Sequence, residues 1–480
     1  MGKNKRKRSA MLLQAAASFQ KSQRNKSSHQ TTTSPADGIV PVESSCSAQQ
    51  EAHDPSELDI NVTIRVLEKI AETPDLLYGK PMKGLRTALH PVILHHMNHS
   101  YNSVDYGVKV TQALKEKQWP QGLRFLKACV DFQLHPKLGT IQRWVRDCAE
   151  APHEVHLQLL AAILKLSSKD HNNSSNPIKL SIEESSRSET RIDSTSCGEL
   201  HVGEPWKIPS TVPTDLDNKN DSVSDNVEIQ STVIYHEDAA DRTPPNHYDL
   251  DLHYVTAISP PIFRRDDVPP PVERHDVPFV SGAFCLSNVL SPRECRYFRD
   301  IATKLGYEPH HPTAIPRPTG IDCCEWLISD DLHAAIYQRV HQHLVASVEG
   351  HDNAKLLGIH KRFRLFRYGA NTVYRPHIDG SWPESRLLDG KYHCDVNGPS
   401  KSYYTFLFYL SDDFDGGETR FYSYNNGAKR LEARGVRPRE GAALVFPQGN
   451  VASLVHEGAA LSRGVKYVIR TDVLYSTASR

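Results

Sequence analysis

The chain has 480 residues, too many for one ordinary core, which sets an expectation of two or three segments. Its 57 Lys and Arg are balanced by 57 Asp and Glu, so charge gives no global reason to expect nucleic acid as the main partner. Nine scattered cysteines with no Cys-x-x-Cys pair argue against a disulfide framework and for a reducing compartment. With no secretory signal and no long apolar span, the expectation is an intracellular protein, cytoplasmic or nuclear, neither secreted nor membrane-bound.

Residues 1–55 read as a disordered basic tail. The run Lys3-Asn4-Lys5-Arg6-Lys7-Arg8 precedes Ala-, Ser-, Gln- and Thr-rich sequence that cannot bury a core. Such a cluster suits a nuclear or nucleolar address or contact with nucleic acid; a mitochondrial transit peptide is the competing reading. Residues 56–166 read as a separate helical domain, with apolar residues at helical spacing in Ile60 to Ile70, Leu85 to Met97, Val108 to Glu116, Gly122 to Phe132, Thr140 to Cys148 and Val155 to Leu166. Thr111 to Cys148 resembles one pentatricopeptide-type hairpin. A single such unit cannot bury its faces, so a small bundle is expected, serving either as a partner-binding module or as a cap on the C-terminal domain.

Residues 167–250 turn polar, Ser- and Asn-rich and acidic, and read as a disordered tether. A Pro-rich stretch, Pro260-Pro261 to Pro269-Pro270-Pro271, then leads as extended chain into a C-terminal domain spanning 251–480. There Ser291-Pro292-Arg293-Glu294 marks a helix start, the helix running to about Leu305, and Asp331 to Val348 predicts a second helix. After them come many short strand patterns broken by Gly and Pro turns: Phe363 to Tyr368, Val373 to Arg375, Tyr403 to Leu410, Glu418 to Tyr422, Ala442 to Pro447, Val451 to His456 and Val465 to Tyr475. This pattern predicts an α+β chain whose C-terminal part is a closed or double-sheet antiparallel fold. The stretch Trp382 to Pro399 is polar and turn-rich and is expected to form a loop.

Within that domain, His377 and Asp379 are two apart and share one face if their segment is extended. A second histidine from a distant strand, His456, would complete two imidazoles and one carboxylate around a metal. That donor set is the facial triad of non-heme Fe(II) oxygenases. Lone His-x-Asp triplets arise by chance among 25 histidines, so the surrounding motifs decide.

Four of them do: Tyr368 to Asp379 (YGANTVYRPHID), Tyr409 to Phe421 (YLSDDFDGGETRF), Ala442 to Pro447 (AALVFP) and His456 to Lys466 (HEGAALSRGVK). In order and spacing, residues 275–476 resemble the 2-oxoglutarate- and Fe(II)-dependent dioxygenases of the prolyl 4-hydroxylase-like branch. The resemblance implies a double-stranded β-helix, or jelly roll, with helices covering one sheet. It implies His377, Asp379 and His456 as iron ligands and catalytic centre, and Lys466 as partner of the distal carboxylate of 2-oxoglutarate. It implies Fe(II), with 2-oxoglutarate and O2 as cosubstrates and ascorbate as reductant, and hydroxylation of a substrate C–H bond with release of succinate and CO2. Tyr368 and Thr419 are candidate 2-oxoglutarate contacts, with core packing the alternative for Tyr368. Arg470 shares a strand face with Lys466 and is the rival cation; its alternative is an ion pair with a nearby acidic residue. Glu418 reads as a structural residue of its turn.

The expected substrate is a peptidyl, prolyl-type residue of an intracellular protein. Two alternatives stand beside it: a partner-binding scaffold whose jelly roll is weakly active or inactive, and a nucleic-acid demethylase. The Lys466 spacing, ten residues after the second histidine, favours the prolyl hydroxylase branch over the latter.

Overall fold

The computed structural model describes residues 57–72, 82, 84–85, 87–88, 106–131, 134, 136–167, 200–209, 227–264, 269–313, 315, 319–348, 351–396, 400–449 and 454–476. The expected basic tail, most of the Leu85 to Met97 helix, and the parts 168–199 and 210–226 of the expected tether lie outside those residues. The chain forms two compact units, residues 1–89 and 90–480. Within the first, helix α1 (Glu57–Glu72) follows the apolar spacing of its sequence and leaves Ile60, Val62 and Ile64 about half exposed.

The second unit begins with four helices, α2 (Tyr106–Lys115), α3 (Trp119–Asp131), α4 (Leu138–Cys148) and α5 (His153–Ser167). Four strands come next: β1 (Leu200–Val202), β2 (Trp206–Lys207), β3 (Glu228–Glu237) and β4 (Leu250–Ser259). After these are β5 (Glu273–Asp276), β6 (Phe284–Ser287), helix α6 (Pro292–Leu305), β7 (Glu308–Pro309), β8 (Ile321–Leu327), helix α7 (Asp330–Val340), β9 (Ser347–Val348), β10 (His351–Ile359) and β11 (Arg362–Tyr368). The remainder is all strand: β12 (Tyr374–His377), β13 (Ser385–Leu388), β14 (Lys391–Cys394), β15 (Ser400–Tyr409), β16 (Phe414–Gly416), β17 (Thr419–Asn425), β18 (Arg430–Arg437), β19 (Ala443–Pro447), β20 (His456–Gly458), β21 (Leu461–Gly464) and β22 (Lys466–Ser476).

Two sheets face each other. The larger runs β3-β4-β8-β11-β22-β15-β19-β6-β5, and the smaller runs β1-β18-β17-β20-β12. Between them lies a core that takes Phe366, Tyr368, Leu444, Phe446 and Val468 from the large sheet and Phe421 and Val436 from the small one. Strand alternation sends the intervening residues outward. On the large sheet, Phe363, Leu365, Phe406, Phe408 and Ile469 pack with Phe298 and Ile301 of α6 and Ile336 of α7. On the small sheet, Tyr422, Leu431 and Ala433 pack with Trp144, Val145 and Leu160 of α4 and α5. The result is a jelly roll covered by helices on both faces.

The helix starts follow local chemistry. Ser291 and Glu294 form a reciprocal capping box around Pro292, and the buried Glu294 takes a forked ion pair from Arg339, locking α6 to α7.

Four expectations need correction. The helices α2–α5 are not a separate domain, because the small sheet presents an apolar outer face that they cover. The segment expected as a tether supplies β1–β3 and the first residue of β4: β1 and β2 extend the small sheet beside β18, and β3 pairs with β4, which runs parallel to β8. Its polar composition arises because these edge strands expose one face to solvent, as in the largely exposed β3. The helix expected over Asp331 to Val348 stops at Val340, and Ser347–Val348 pairs as a strand with β10. Finally, the expected loop after Trp382 contains the β13–β14 hairpin, whose turn residues Asp389 and Gly390 both have positive φ, the two-residue hairpin chemistry of Asp-Gly.

Candidate metal centre and cosubstrate pocket

The pocket opens between the two sheets. An open cleft of ≈ 490 Å³, part of it continuous with solvent, is lined by His377, Asp379 and His456 together with Tyr368, Thr419, Lys466 and Arg470. Every residue proposed from sequence for metal or cosubstrate therefore reaches one pocket.

The three donors converge because β12 and β20 pair antiparallel with His377 directly opposite His456. His377 Nε2 lies 3.4 Å from Asp379 Oδ1, and His456 Nε2 lies 3.5 Å from Asp379 Oδ2. Each imidazole donates its other nitrogen to a nearby carbonyl, His377 Nδ1 to Arg375 at 2.9 Å and His456 Nδ1 to Leu454 at 3.2 Å. Those bonds fix the ring orientations and turn both Nε2 atoms toward the carboxylate, the preparation that metal-binding histidines need. Burial, with His456 beside it, holds the His377 imidazole neutral below its ordinary range. Burial alone would raise the Asp379 carboxyl, but Arg470 and the two histidines outweigh it and keep it ionised well below the carboxylate range. Two imidazoles and one carboxylate on one side of a pocket suit a divalent metal such as Fe(II). Among the described residues one further trio has ligand-like spacing, His236, Asp238 and Asp249, all on the exposed surface.

Behind the carboxylate is a buried polar network that sequence reading missed. Thr405 Oγ1 donates to Asp379 Oδ2 at 2.7 Å, and Arg470 approaches Asp379 Oδ1 at 3.1 Å. Gln448 Nε2 donates to Asp472 Oδ1 at 2.8 Å and to Thr405 Oγ1 at 3.2 Å, while its carbonyl oxygen accepts from Ser402 Oγ. Burial lifts the Asp472 carboxyl to about 6 despite Arg470 nearby. Period-two alternation carried part of this signal, since Thr405 stands two positions before Leu407, which lines the same pocket.

The two rival cations separate cleanly. Arg470 is paired with Asp379, the acidic partner that its alternative reading required. Lys466 is 3 % exposed, and its Nζ donates to the Gly417 carbonyl at 2.7 Å with no carboxylate in ion-pair reach among the described residues. Burial lowers its pKa to about 8. The rings of Tyr368 and Tyr409 flank it at 5.4 and 5.8 Å, and Tyr368 is its cross-strand partner. Thr419 is buried in the same pocket and shares a 2.8 Å hydrogen bond with the Tyr409 hydroxyl. The turn holding Gly417 needs its glycines: Gly416 has φ +81°, and a Cβ there would lie 2.2 Å from the Ala460 carbonyl oxygen.

Residues 363–471, which carry His377, Asp379 and His456 together with Tyr368, Thr419, Lys466 and Arg470, match the model of the 2OG-Fe(II) oxygenase superfamily. This region of the chain belongs to that superfamily. The oxygenase region is thus an oxidoreductase module of the dioxygenase kind, built for iron and 2-oxoglutarate. Among solved structures, the chain is similar to a viral collagen prolyl hydroxylase from Paramecium Bursaria Chlorella virus-1, in its 2OG complex, at 15% identity over 41% of this chain and 96% of that one, with a TM-score of 0.27. A Pseudomonas putida prolyl-4-hydroxylase matches at 17% identity over 41% and 94%, with a TM-score of 0.27. A Trichoplax adhaerens prolyl hydroxylase, in complex with a hypoxia inducible factor oxygen degradation domain peptide fragment, matches at 15% identity over 40% and 83%, with a TM-score of 0.28. No curated protein matches the chain.

Proposed function

We propose that this protein is an Fe(II)- and 2-oxoglutarate-dependent dioxygenase that hydroxylates a peptidyl residue, of prolyl type, in an intracellular protein. The observation that carries the reading is Lys466, a buried ammonium without a carboxylate partner among the described residues, in the pocket that also holds His377, Asp379 and His456. An unpaired buried cation is costly unless a ligand supplies the anion.

His377, Asp379 and His456 would hold the metal, whose contribution when loaded with 2-oxoglutarate and O2 is the oxidation itself. Lys466 would take the distal carboxylate with a charge-assisted bond and orient the whole cosubstrate. Arg470, which touches Asp379, lies four residues along β22 from Lys466, roughly 13 Å at strand rise, which leaves room for an extended dicarboxylate between cation and metal. Tyr368 and Thr419 would line that path and exclude water. The network of Thr405 and Arg470 would keep Asp379 ionised and fixed in direction.

A peptide acceptor is favoured over nucleic acid by the charges beside the pocket. Arg364 pairs with Glu325, and Arg362 with Glu325 and Glu237, so these guanidinium groups already have carboxylate partners. A surface for phosphates would keep them free. The free thiols, six buried and Cys394 exposed among the described cysteines, support an intracellular setting.

The test is succinate release with Fe(II), 2-oxoglutarate and ascorbate, followed by mass spectrometry for a gained oxygen on proteins captured by His377→Ala. Succinate above background in wild type and none in His377→Ala is the expected result. Absent turnover in wild type, or equal turnover in the variant, would leave the scaffold reading standing instead.

A further inference from the structure

Strand alternation has a second product at the metal centre. Ile378 lies between His377 and Asp379, and Val455 immediately precedes His456. Because the ligands face the pocket, these two face the opposite side. Both are buried there, at 8 % and 0 % exposure, inside the core formed by Trp144, Val145 and Leu160 of the helical bundle. On this outer face, the strands that carry the ligands are covered by α2–α5.

Polar contacts from α4 reach the same segment on both sides of the ligands. Arg375, two residues before His377, donates Nη1 to the Ala149 carbonyl at 2.9 Å, at the C-terminal end of α4 where a helix carries its negative dipole end. Gln142 Nε2 points to the main-chain carbonyl of Asp379 at 3.4 Å, and the Gly449 amide donates to the same oxygen at 3.3 Å. Gly449 is pinned in turn between Leu138 of α4 and Ile378: a Cβ there would lie 2.9 Å from both Leu138 methyls and 3.1 Å from Ile378 Cγ2. Helix α4 and its C-cap thus reach the His-x-Asp segment directly at the Arg375 side chain and the Asp379 carbonyl, and a third time through Gly449.

We propose that the α2–α5 bundle is a working part of the metal centre: α4, through Gln142, Leu138 and the Ala149 carbonyl, fixes the direction of the metal-binding side chains, so metal affinity depends on the bundle. Gln142 and Leu138 are positioning residues, since they act through the backbone of Asp379 and through Ile378 and do not touch the pocket. This role rests on the metal-site reading above. It differs from a plain stabilising role in what it predicts: the metal site loosens under substitutions that leave the fold intact.

The experiment titrates the full-length metal-free protein with Mn(II), followed by electron paramagnetic resonance, with no cosubstrate and no turnover. Wild type is compared with Gln142→Ala, with Gln142→Ala combined with Leu138→Ala, and with Arg143→Ala, which alters an exposed side chain of the same helix. Thermal melting of each metal-free variant reports folding. The expected result is a rise in the Mn(II) Kd of about tenfold in the double variant, the scale seen when outer partners of metal ligands are removed, and a changed spectrum of bound Mn(II). Gln142→Ala alone should show the same change in smaller measure, and Arg143→Ala should match wild type. An unchanged Kd and spectrum in both Gln142 variants would overturn the bundle's role while leaving the metal site standing. A wild type that takes up no Mn(II) would overturn the metal-site reading and this inference with it. Should the double variant fail to fold, the single Gln142→Ala decides alone.

Discussion

Lys466 and Tyr368 sit on β22 and β11, strands of 11 and 7 residues locked to each other in an unbroken register within the large sheet. His377, Asp379 and His456 sit on or beside β12 and β20, strands of 4 and 3 residues in the small sheet, with a register shift between them. One end of the pocket is built by the jelly roll itself, and the other leans on helices that precede it by hundreds of residues. A long ladder fixes side-chain direction by its own hydrogen bonds, whereas a short strand must borrow rigidity from the elements packed behind it. The two ends should therefore respond to different substitutions.

The largest effect is expected from Asp379→Ala. It removes a metal donor and leaves Arg470 buried without its nearest partner, so succinate release should fall to background and stability should drop by about 3–5 kcal/mol in denaturant titration. A variant that keeps turnover would break the assignment of the metal end. Next comes Lys466→Ala, which loses a charge-assisted contact worth about 1.5–3 kcal/mol. The KM for 2-oxoglutarate should rise about 10–100-fold, while Mn(II) affinity without cosubstrate stays at the wild-type value. A parallel loss of metal affinity would show that the two ends are not independent.

The pH dependence sharpens the same division. Burial lowers the Lys466 pKa to about 8, and a carboxylate needs the protonated ammonium. The KM for 2-oxoglutarate should be flat below pH 8 and rise about tenfold per unit above it, with Lys466→Arg removing the slope. The smallest effect is expected from Ile378→Val, which trims one methylene from the interface between His-x-Asp segment and bundle at a cost of about 0.5–1.5 kcal/mol. Its mark should be a modestly weaker Mn(II) affinity with an unchanged KM for 2-oxoglutarate.

The capping box at Ser291 and Glu294 and the alternation through Phe363 to Tyr368 were legible because each is written within a few neighbouring residues. The convergence of His377, Asp379 and His456 was legible because motif order and spacing stand in for the pairing of β12 with β20. The strands β1–β3 were hidden in a polar stretch, since edge strands with one wet face have the composition of a tether. The Asp389-Gly390 hairpin had a local turn signal that the surrounding polarity masked. The buried network of Thr405, Gln448, Ser402 and Asp472 left only the period-two spacing of Thr405 and Leu407 as a local signal, because its members come from two strands and the residue just after a third.

The sequence by itself showed a His-x-Asp pair, a distant His and a basic residue ten positions after it in the order and spacing of the family it resembles, since motif spacing and strand periodicity are local properties. Only the tertiary structure decided which cation is left for a ligand, Lys466, and which is spent on Asp379, Arg470. It also decided what covers Ile378 and Val455. An apolar residue announces that it will be buried, but the identity of its cover depends on contacts between elements far apart in the chain, here α4 and α5 against β12 and β20.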